Sequence, residues 1–190
     1  MESLLVSAGV VALAEMGDKT QLLAFFLAAR FKKPWPIVFG ILLATLLNHG
    51  LAGALGVWVV DYVSPEVMRW VLAVSFIAMA VWALVPDHMD QTEVRVASRL
   101  GVFGATMLAF FLVEMGDKTQ IATVSLAAHY ATPVTVVVGT TLGMMIADVP
   151  AVFLAEGLSA RIPLRWVRLL AAFMFLALGV VAGFGKLSFW

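Results

Sequence analysis

The stretch Glu15-Met16-Gly17-Asp18-Lys19-Thr20-Gln21 occurs a second time, without a change, as Glu114-Met115-Gly116-Asp117-Lys118-Thr119-Gln120. Each copy lies in the middle of an apolar segment that is long enough to cross a bilayer. Two carboxylates and an ammonium group at the centre of a membrane helix cost several kcal/mol on insertion scales. Because the chain carries this costly motif twice, 99 residues apart, we expect both copies to form one site, and a cation suits it best.

The composition is that of an integral membrane protein. Of the 190 residues, 63% are hydrophobic and 13% are charged, whereas soluble domains are about 45–50% apolar and about 25% charged. The formal net charge is zero and long basic runs are absent, so we expect no nucleic-acid partner. The chain has no cysteine, which excludes disulfides, zinc–thiolate sites and iron–sulfur clusters. The N-terminus lacks the basic region of a signal peptide, so the first segment is interpreted as a retained helix.

Six segments reach the roughly 20 apolar residues that a spanning helix needs, and they predict an all-α membrane protein. They lie at about Leu4–Ala29, Pro36–Val60, Val67–Val85, Gly101–Ala128, Pro133–Leu158 and Leu164–Phe184. A longer polar joint, 87–100, separates a first half, 1–86, from a second half, 101–190.

The two halves align at a constant offset of 99 residues. Beyond the motif, the offset pairs Gly40 with Gly139, His49 with Asp148, Arg69 with Arg168 and Phe76 with Phe175. Each half has three spans, an odd number, so the second half must enter the membrane from the opposite side. The sequence therefore predicts six transmembrane helices arranged as two inverted three-helix repeats, a layout common in secondary transporters with a midplane site.

Basic residues in the joints predict the orientation. The joints after the first, third and fifth spans contain Arg30, Lys32, Lys33, Arg95, Arg99, Arg161, Arg165 and Arg168, whereas the opposite side has Arg69 and Lys186. The positive-inside rule places the first group, and the 87–100 linker, in the cytoplasm. Both termini then lie outside it.

The motif offers many oxygen ligands. On a helix, Glu15 and Asp18 share a face, as do Glu114 and Asp117. Gly17 and Gly116 weaken the helix, and a local bend there would free backbone carbonyl oxygens. Neutral oxygens are available nearby from Thr20, Gln21, Thr119 and Gln120. Two such helices facing each other would enclose four carboxylates.

Lys19 and Lys118 set the charge of this site. Four carboxylates and two ammonium groups give a net charge of −2 when all are ionised, which matches one divalent cation. The alternative is a structural clamp, in which each lysine only neutralises the carboxylate four residues before it. Two carboxylates for every lysine leave an excess of negative charge that a clamp does not need.

Hard oxygen donors favour Mg²⁺, Ca²⁺ or Mn²⁺. If the helix unwinds locally, the thioethers of Met16 and Met115 would reach the ion and favour Mn²⁺ over Ca²⁺ and Mg²⁺. Ordinary packing is the alternative role of both methionines, because methionine fills irregular gaps well.

Protons are the natural competitors of a metal ion at such a site. Desolvation and like-charge repulsion favour the protonated form of clustered carboxylates, so protons and metal would compete there and exchange would follow. His49 and Asp148, near the middle of the second and fifth spans, are candidates for a proton relay or for outer ligands. A hydrogen-bonded packing role is the alternative for His49.

Both motif copies match the Glu-x-Gly-Asp-[Lys/Arg]-[Thr/Ser] signature, and over its whole length the chain resembles the GDT family of cation exchangers, in particular its bacterial manganese exporters. The resemblance implies transport of Mn²⁺, or of Ca²⁺, in exchange for H⁺, with Mn²⁺ efflux across a bacterial inner (plasma) membrane. It also implies that Glu15, Asp18, Glu114 and Asp117 are essential, with Thr20 and Thr119 close to the ion. No resident cofactor is expected, and a homodimer remains an open possibility.

Other functions are open to this sequence. A passive divalent-cation channel would line a pore with the carboxylates, but lysines at the same depth would obstruct cations. An exporter of a small amine or amino acid is a further alternative. An intramembrane enzyme acting on lipid lacks an accompanying Ser-His or His-rich pattern, and a motif for direct ATP coupling is absent, so we expect a transporter and not an enzyme.

Overall fold

The computed structural model describes residues 1–85, 100–154 and 164–184, and this part of the chain forms eight α-helices. They are α1 Glu2–Glu15, α2 Lys19–Phe31, α3 Pro34–Val60, α4 Pro65–Leu84, α5 Gly101–Glu114, α6 Lys118–Tyr130, α7 Pro133–Leu154 and α8 Leu164–Phe184. The helices follow the six predicted segments closely at most boundaries. The predicted linker lies, apart from Leu100, outside the described residues, as does the predicted end of the fifth span at Leu158.

The first and fourth segments are broken helices, and the prediction of a continuous helix through each motif is wrong. Helix α1 ends at Glu15, and α2 begins at Lys19 after the N-cap residue Asp18. Gly17 and Gly116 each have φ of +80°, a left-handed conformation that glycine adopts without the steric cost of a side chain. In the second copy, α5 ends at Glu114 and α6 follows the N-cap residue Asp117. The motif thus encodes a helix end, a turn and a new helix start.

The two halves pack against each other in a reciprocal way. Helix α1 packs on α7, and its counterpart α5 packs on α3; likewise α2 contacts α7, and its counterpart α6 contacts α3. Glycines allow the closest approaches. A Cβ atom on Gly40 would lie 2.8 Å from Thr106 Cβ and 3.0 Å from the Phe103 carbonyl oxygen. A Cβ atom on Gly139 would lie 2.9 Å from Ser7 Cβ and 2.6 Å from the Leu4 carbonyl oxygen.

These two contact sets are related by the same offset that relates the motifs, since Leu4 and Ser7 correspond to Phe103 and Thr106. Helices α4 and α8 form the remaining pair, in which the rings of Phe76 and Phe175, again offset counterparts, stack with centroids 6.3 Å apart. The internal duplication seen in the sequence is therefore also a duplication of contacts.

Much of the outer surface of the described helices is apolar. Large exposed hydrophobic side chains occur along the helices, and those of Val134, Phe173 and Phe184 are 76%, 68% and 77% exposed. Helices α3 and α7 are long and apolar enough to cross a membrane by length and composition, over Pro34–Val59 and Pro133–Leu154. Such an exterior is stable in lipid and would promote aggregation in water, which agrees with a membrane protein.

The close approach at Gly40 gives a test on a single helix. We expect Gly40→Ala to lower stability by about 1–3 kcal/mol, because the new Cβ overlaps Thr106 and forces α3 away from α5. Gly50→Ala on the same helix is the control, since nothing lies within 4 Å of its Cβ position. Thermal unfolding in detergent measures both, and a Gly40→Ala variant as stable as Gly50→Ala would contradict the packing described.

Candidate cation site

The helix breaks bring both motifs to one place inside the protein. The C-terminal ends of α1 and α5 and the N-terminal ends of α2 and α6 meet there, because Glu15, Asp18, Glu114 and Asp117 cluster at these ends. Asp18 and Asp117 are the N-cap residues of α2 and α6, where the partial positive charge of the helix end stabilises a carboxylate. Half-helices that end at a polar centre are typical of ion sites in transporters.

Four carboxylates form the centre of the site. One oxygen atom from each of Glu15, Asp18, Glu114 and Asp117 lies within 4.8 Å of those of the other three. The four residues are 0%, 1%, 1% and 2% exposed, respectively. We call this group the carboxylate cage. A set of carboxylate oxygens at this spacing suits a hard divalent cation.

The lysines connect the two motifs. Lys118 Nζ donates to Asp18 Oδ1 at 2.5 Å, and Lys19 Nζ lies 3.2 Å from Asp117 Oδ1. Each lysine of one half therefore pairs with the aspartate of the other half, and the clamp within one helix turn is not what the structure forms. The first pair is more deeply buried, since its lysine side chain is 4% exposed and that of Lys19 is 23% exposed.

Threonines hold the glutamates. The hydroxyl of Thr20 donates to Glu15 Oε2, and that of Thr119 donates to Glu114 Oε2 at 2.8 Å. Glu15 Oε1, Glu114 Oε1 and Asp117 Oδ2 are buried and have no hydrogen-bond partner among the described residues. In these three side chains one oxygen is fixed by a neighbour and the other is available. Buried oxygens of this kind need a cation, a proton or water.

Gln21 and Gln120, predicted as sources of ligand oxygen, stabilise the two helix breaks. Their Oε1 atoms accept hydrogen bonds from the backbone N–H groups of Gly17 at 3.0 Å and Gly116 at 2.8 Å. The Gln21 amide also donates to the Ala147 carbonyl oxygen on α7, at 3.0 Å. These side chains therefore stabilise the turn that each glycine makes.

Met16 and Met115 are much more exposed than the cage residues. They adopt extended backbone conformations within the two breaks, and their side chains are 40% and 55% exposed. Their role as ligands stays a prediction.

His49 and Asp148 are both fully buried, on α3 and α7. None of their ring nitrogens or carboxylate oxygens has a hydrogen-bond partner among the residues described. The structure therefore shows no hydrogen-bonded packing role for His49, and no hydrogen bond links it to Asp148.

Asn48 makes a contact that the sequence pattern did not predict. Its amide donates at 3.1 Å to the carbonyl oxygen of Phe111, in the last turn of α5. This bond satisfies an acceptor left unpaired by the helix end, and it joins the two halves beside the cage. The signal for it was an amide side chain in the middle of an apolar segment.

The unequal burial of the two lysines gives a test of the cross-pairing. Lys118→Met removes the buried ammonium group that pairs with Asp18, and loss of one member of a buried ion pair typically costs about 3–5 kcal/mol. Lys19→Met should cost less, because the Lys19 side chain is 23% exposed. Thermal unfolding in detergent is the measurement, and the double variant Asp18→Asn with Lys118→Met should recover most of the loss. Equal losses from the two single variants would contradict the geometry.

Comparisons with known proteins give matches over nearly the whole chain. The family model described as "Divalent cation/proton antiporter GDT1" matches residues 3–91 and 102–188. A Vibrio cholerae protein described as a proposed manganese exporter is 50% identical over 185 residues, which cover 97% of this chain and 92% of that protein. A GDT1-like protein of Synechocystis is 27% identical over 94% of this chain and 95% of its own length. GDT1-like protein 3 of Oryza sativa is 26% identical over 96% of this chain and 74% of its own length. No solved structure gives a significant match.

Proposed function

This chain belongs to the GDT1 family of divalent cation/proton antiporters, and we propose that it exports Mn²⁺ from the cytoplasm in exchange for protons. The carboxylate cage holds the ion. One observation carries the proposal: four buried carboxylates, two from each motif, place oxygen atoms within 4.8 Å of one another. The similarity to the proposed manganese exporter of Vibrio cholerae supports Mn²⁺ as the cargo.

The ligand set of the cage accounts for the class of cation. Carboxylates, with hydroxyls close by, are hard oxygen donors, which bind Mn²⁺, Mg²⁺ and Ca²⁺ better than soft metals. The two lysines reduce the charge of four carboxylates to −2, so one divalent ion makes the cage neutral. A monovalent cation would leave one net negative charge in the cage, which is buried within the membrane-spanning part of the protein, and such a charge is costly.

The lysines also allow the cage to exist without its cargo. Four ionised carboxylates within a few ångströms would repel one another strongly in a medium of low dielectric constant. The ammonium groups of Lys19 and Lys118 reduce this repulsion when the ion has left, and the negative charge that remains favours binding of a proton nearby. Metal binding and proton binding then oppose each other, and this opposition couples the two fluxes.

Two apolar clusters seal the cage. One cluster includes Val10 of α1 and Leu126 of α6 with residues of α4 and α8. The other includes Leu27 of α2 and Phe110 of α5 with residues of α3 and α7. In the proposed arrangement the two clusters lie on opposite sides of the cage. In the proposed cycle each cluster opens in turn, so that the ion is released to one side only.

The proposed membrane arrangement has six spans, of which the first and fourth are the broken pairs α1–α2 and α5–α6. The reciprocal contacts of the two halves support an inverted repeat, with the cage near the midplane. The basic residues around Lys33 support a cytoplasmic position for the α2–α3 joint in a bacterial plasma membrane, with both termini outside the cytoplasm. The partners in this arrangement are the lipid bilayer, the metal ion and protons.

Transport in proteoliposomes tests the function. We expect purified protein to move Mn²⁺ in one direction and protons in the other, followed by a metal-sensitive dye and a pH-sensitive dye. Asp18→Asn or Asp117→Asn should lower Mn²⁺ flux by more than the roughly 10- to 100-fold that loss of an outer-shell partner costs at a metal site. Glu66→Gln, an exposed acid in the first turn of α4, is the control and should transport normally.

Two results would contradict the proposal. A Mn²⁺ current that does not change with the proton gradient would indicate a passive channel. Wild-type rates in the variant with both aspartates replaced would show that the cage does not hold the ion.

The absence of cysteine allows a direct test of the orientation, because each introduced thiol is the only one in the chain. We expect Asp61→Cys, between α3 and α4, to react with a membrane-impermeant maleimide on intact cells. Lys33→Cys should react only after the membrane is permeabilised. Labelling of both positions from one side would exclude the proposed topology.

A further inference from the structure

Asp148 is a buried acid that the cage does not include. It lies on α7 with no exposed surface, and neither of its carboxylate oxygens has a hydrogen-bond partner in the part of the chain described. The cage carboxylates differ in this respect, because a hydroxyl or an ammonium group holds one oxygen of Glu15, Glu114 and Asp117. Among the described residues, the Asp148 carboxyl group therefore has neither a hydrogen-bond donor nor an ion-pair partner.

The position of Asp148 is nevertheless close to the cage. The neighbouring carbonyl group, of Ala147, accepts the hydrogen bond from Gln21, so this turn of α7 lies against the first break. The Asp148 carboxyl interacts electrostatically with Glu15 of α1 and Glu114 of α5. Other ionisable groups come from helices packed against α7: Asp18 and Lys19 at the start of α2, His49 of α3, and Asp117 and Lys118 at the start of α6.

The surroundings decide which form of Asp148 is stable. An ionised carboxylate buried without a partner is far more costly than the neutral acid. An empty cage has a net negative charge and adds repulsion, so it favours a protonated Asp148. A divalent cation in the cage removes that repulsion and favours loss of the proton. By reciprocity, a proton on Asp148 weakens cation binding in the cage by the same factor by which the cation weakens proton binding at Asp148.

We propose that Asp148 carries a proton of the exchange, bound while the cage is empty and released to water on the open side when the cation occupies the cage. This inference rests on the proposed function and assigns the coupling to a group outside the ion ligands. Its counterpart in the other half is His49, which has an imidazole ring and no carboxyl group. The two halves supply identical cage residues, and this pair of positions is one place where the duplication leaves the surroundings of the cage unequal.

The experiment separates ion movement from coupling in proteoliposomes. Self-exchange of radioactive Mn²⁺ for unlabelled Mn²⁺, without a pH gradient, needs only the cage and its opening to both sides. Accumulation of Mn²⁺ driven by a pH gradient also needs the proton carrier. We expect Asp148→Asn to keep self-exchange and to lose gradient-driven accumulation, and we expect Asp148→Glu to restore accumulation.

Thr141→Val is the matched control, because Thr141 is a buried residue of α7 whose hydroxyl also has no partner among the described residues. It should behave as wild type in both assays. If Asp148→Asn does not fold, Asp148→Ala replaces it, since alanine leaves no buried polar group without a partner.

The outcomes are distinct. Gradient-driven accumulation at the wild-type level in the Asn or Ala variant would overturn the inference and leave the proposed function intact. Loss of self-exchange in a folded variant would also overturn it, by making Asp148 part of the ion path. Failure of the wild-type protein itself to couple Mn²⁺ to protons would overturn the proposed function and this inference together.

Discussion

The need to neutralise charge away from water shapes the whole molecule. The motifs bury four carboxylates, and the cross-paired lysines Lys19 and Lys118 bring the nearest positive charges. Because each lysine reaches the aspartate of the other half, neither half can balance its own charge alone. The ion pairs therefore fix the position of one half against the other. In lipid, where the hydrophobic effect does not drive helices together, such pairs are a strong source of specificity.

The helix breaks make this arrangement possible. A continuous helix would stack Glu15 and Asp18 on one face with the ammonium of Lys19 beside them, and the lysine would be used within its own motif. The left-handed turn at Gly17 ends one helix and starts another, and it directs both carboxylates toward the opposite half. The Gln21 side chain stabilises this turn, because its Oε1 atom accepts a hydrogen bond from the Gly17 N–H group. The second copy repeats the geometry, with the same φ of +80° at Gly116.

A duplicated ligand set has a functional consequence. Equivalent helix ends approach the ion from both halves, so exchanging the roles of the halves would leave the cage itself unchanged. In the proposed cycle the two apolar clusters are the parts that open and close. A direction of transport needs an unequal element, and His49 opposite Asp148 is such an element on helices that touch the breaks. The ion site and the source of asymmetry are thus separate features of the fold.

The sequence alone predicted a good part of this. Apolar lengths give the helical segments, the offset of 99 residues gives the duplication, and the cost of buried charge identifies the four cage residues. These are properties of composition and spacing, and they need no knowledge of contacts between distant residues. The match to the antiporter family agrees with the class of function that the motif indicates.

Only the tertiary structure determines which side chains pair with each other in the cage. Whether Lys118 serves Glu114 or Asp18 depends on the break and on the approach of the other half, neither of which local spacing specifies. A glycine in a membrane helix can remain helical, so only the packed structure shows the turn at Gly17. The exposure of Met16, the bracing role of Gln21 and the contact of Asn48 with α5 follow from that turn. They arise between elements far apart in the chain, where charge neutralisation and the pairing of helix-end carbonyl groups select one arrangement.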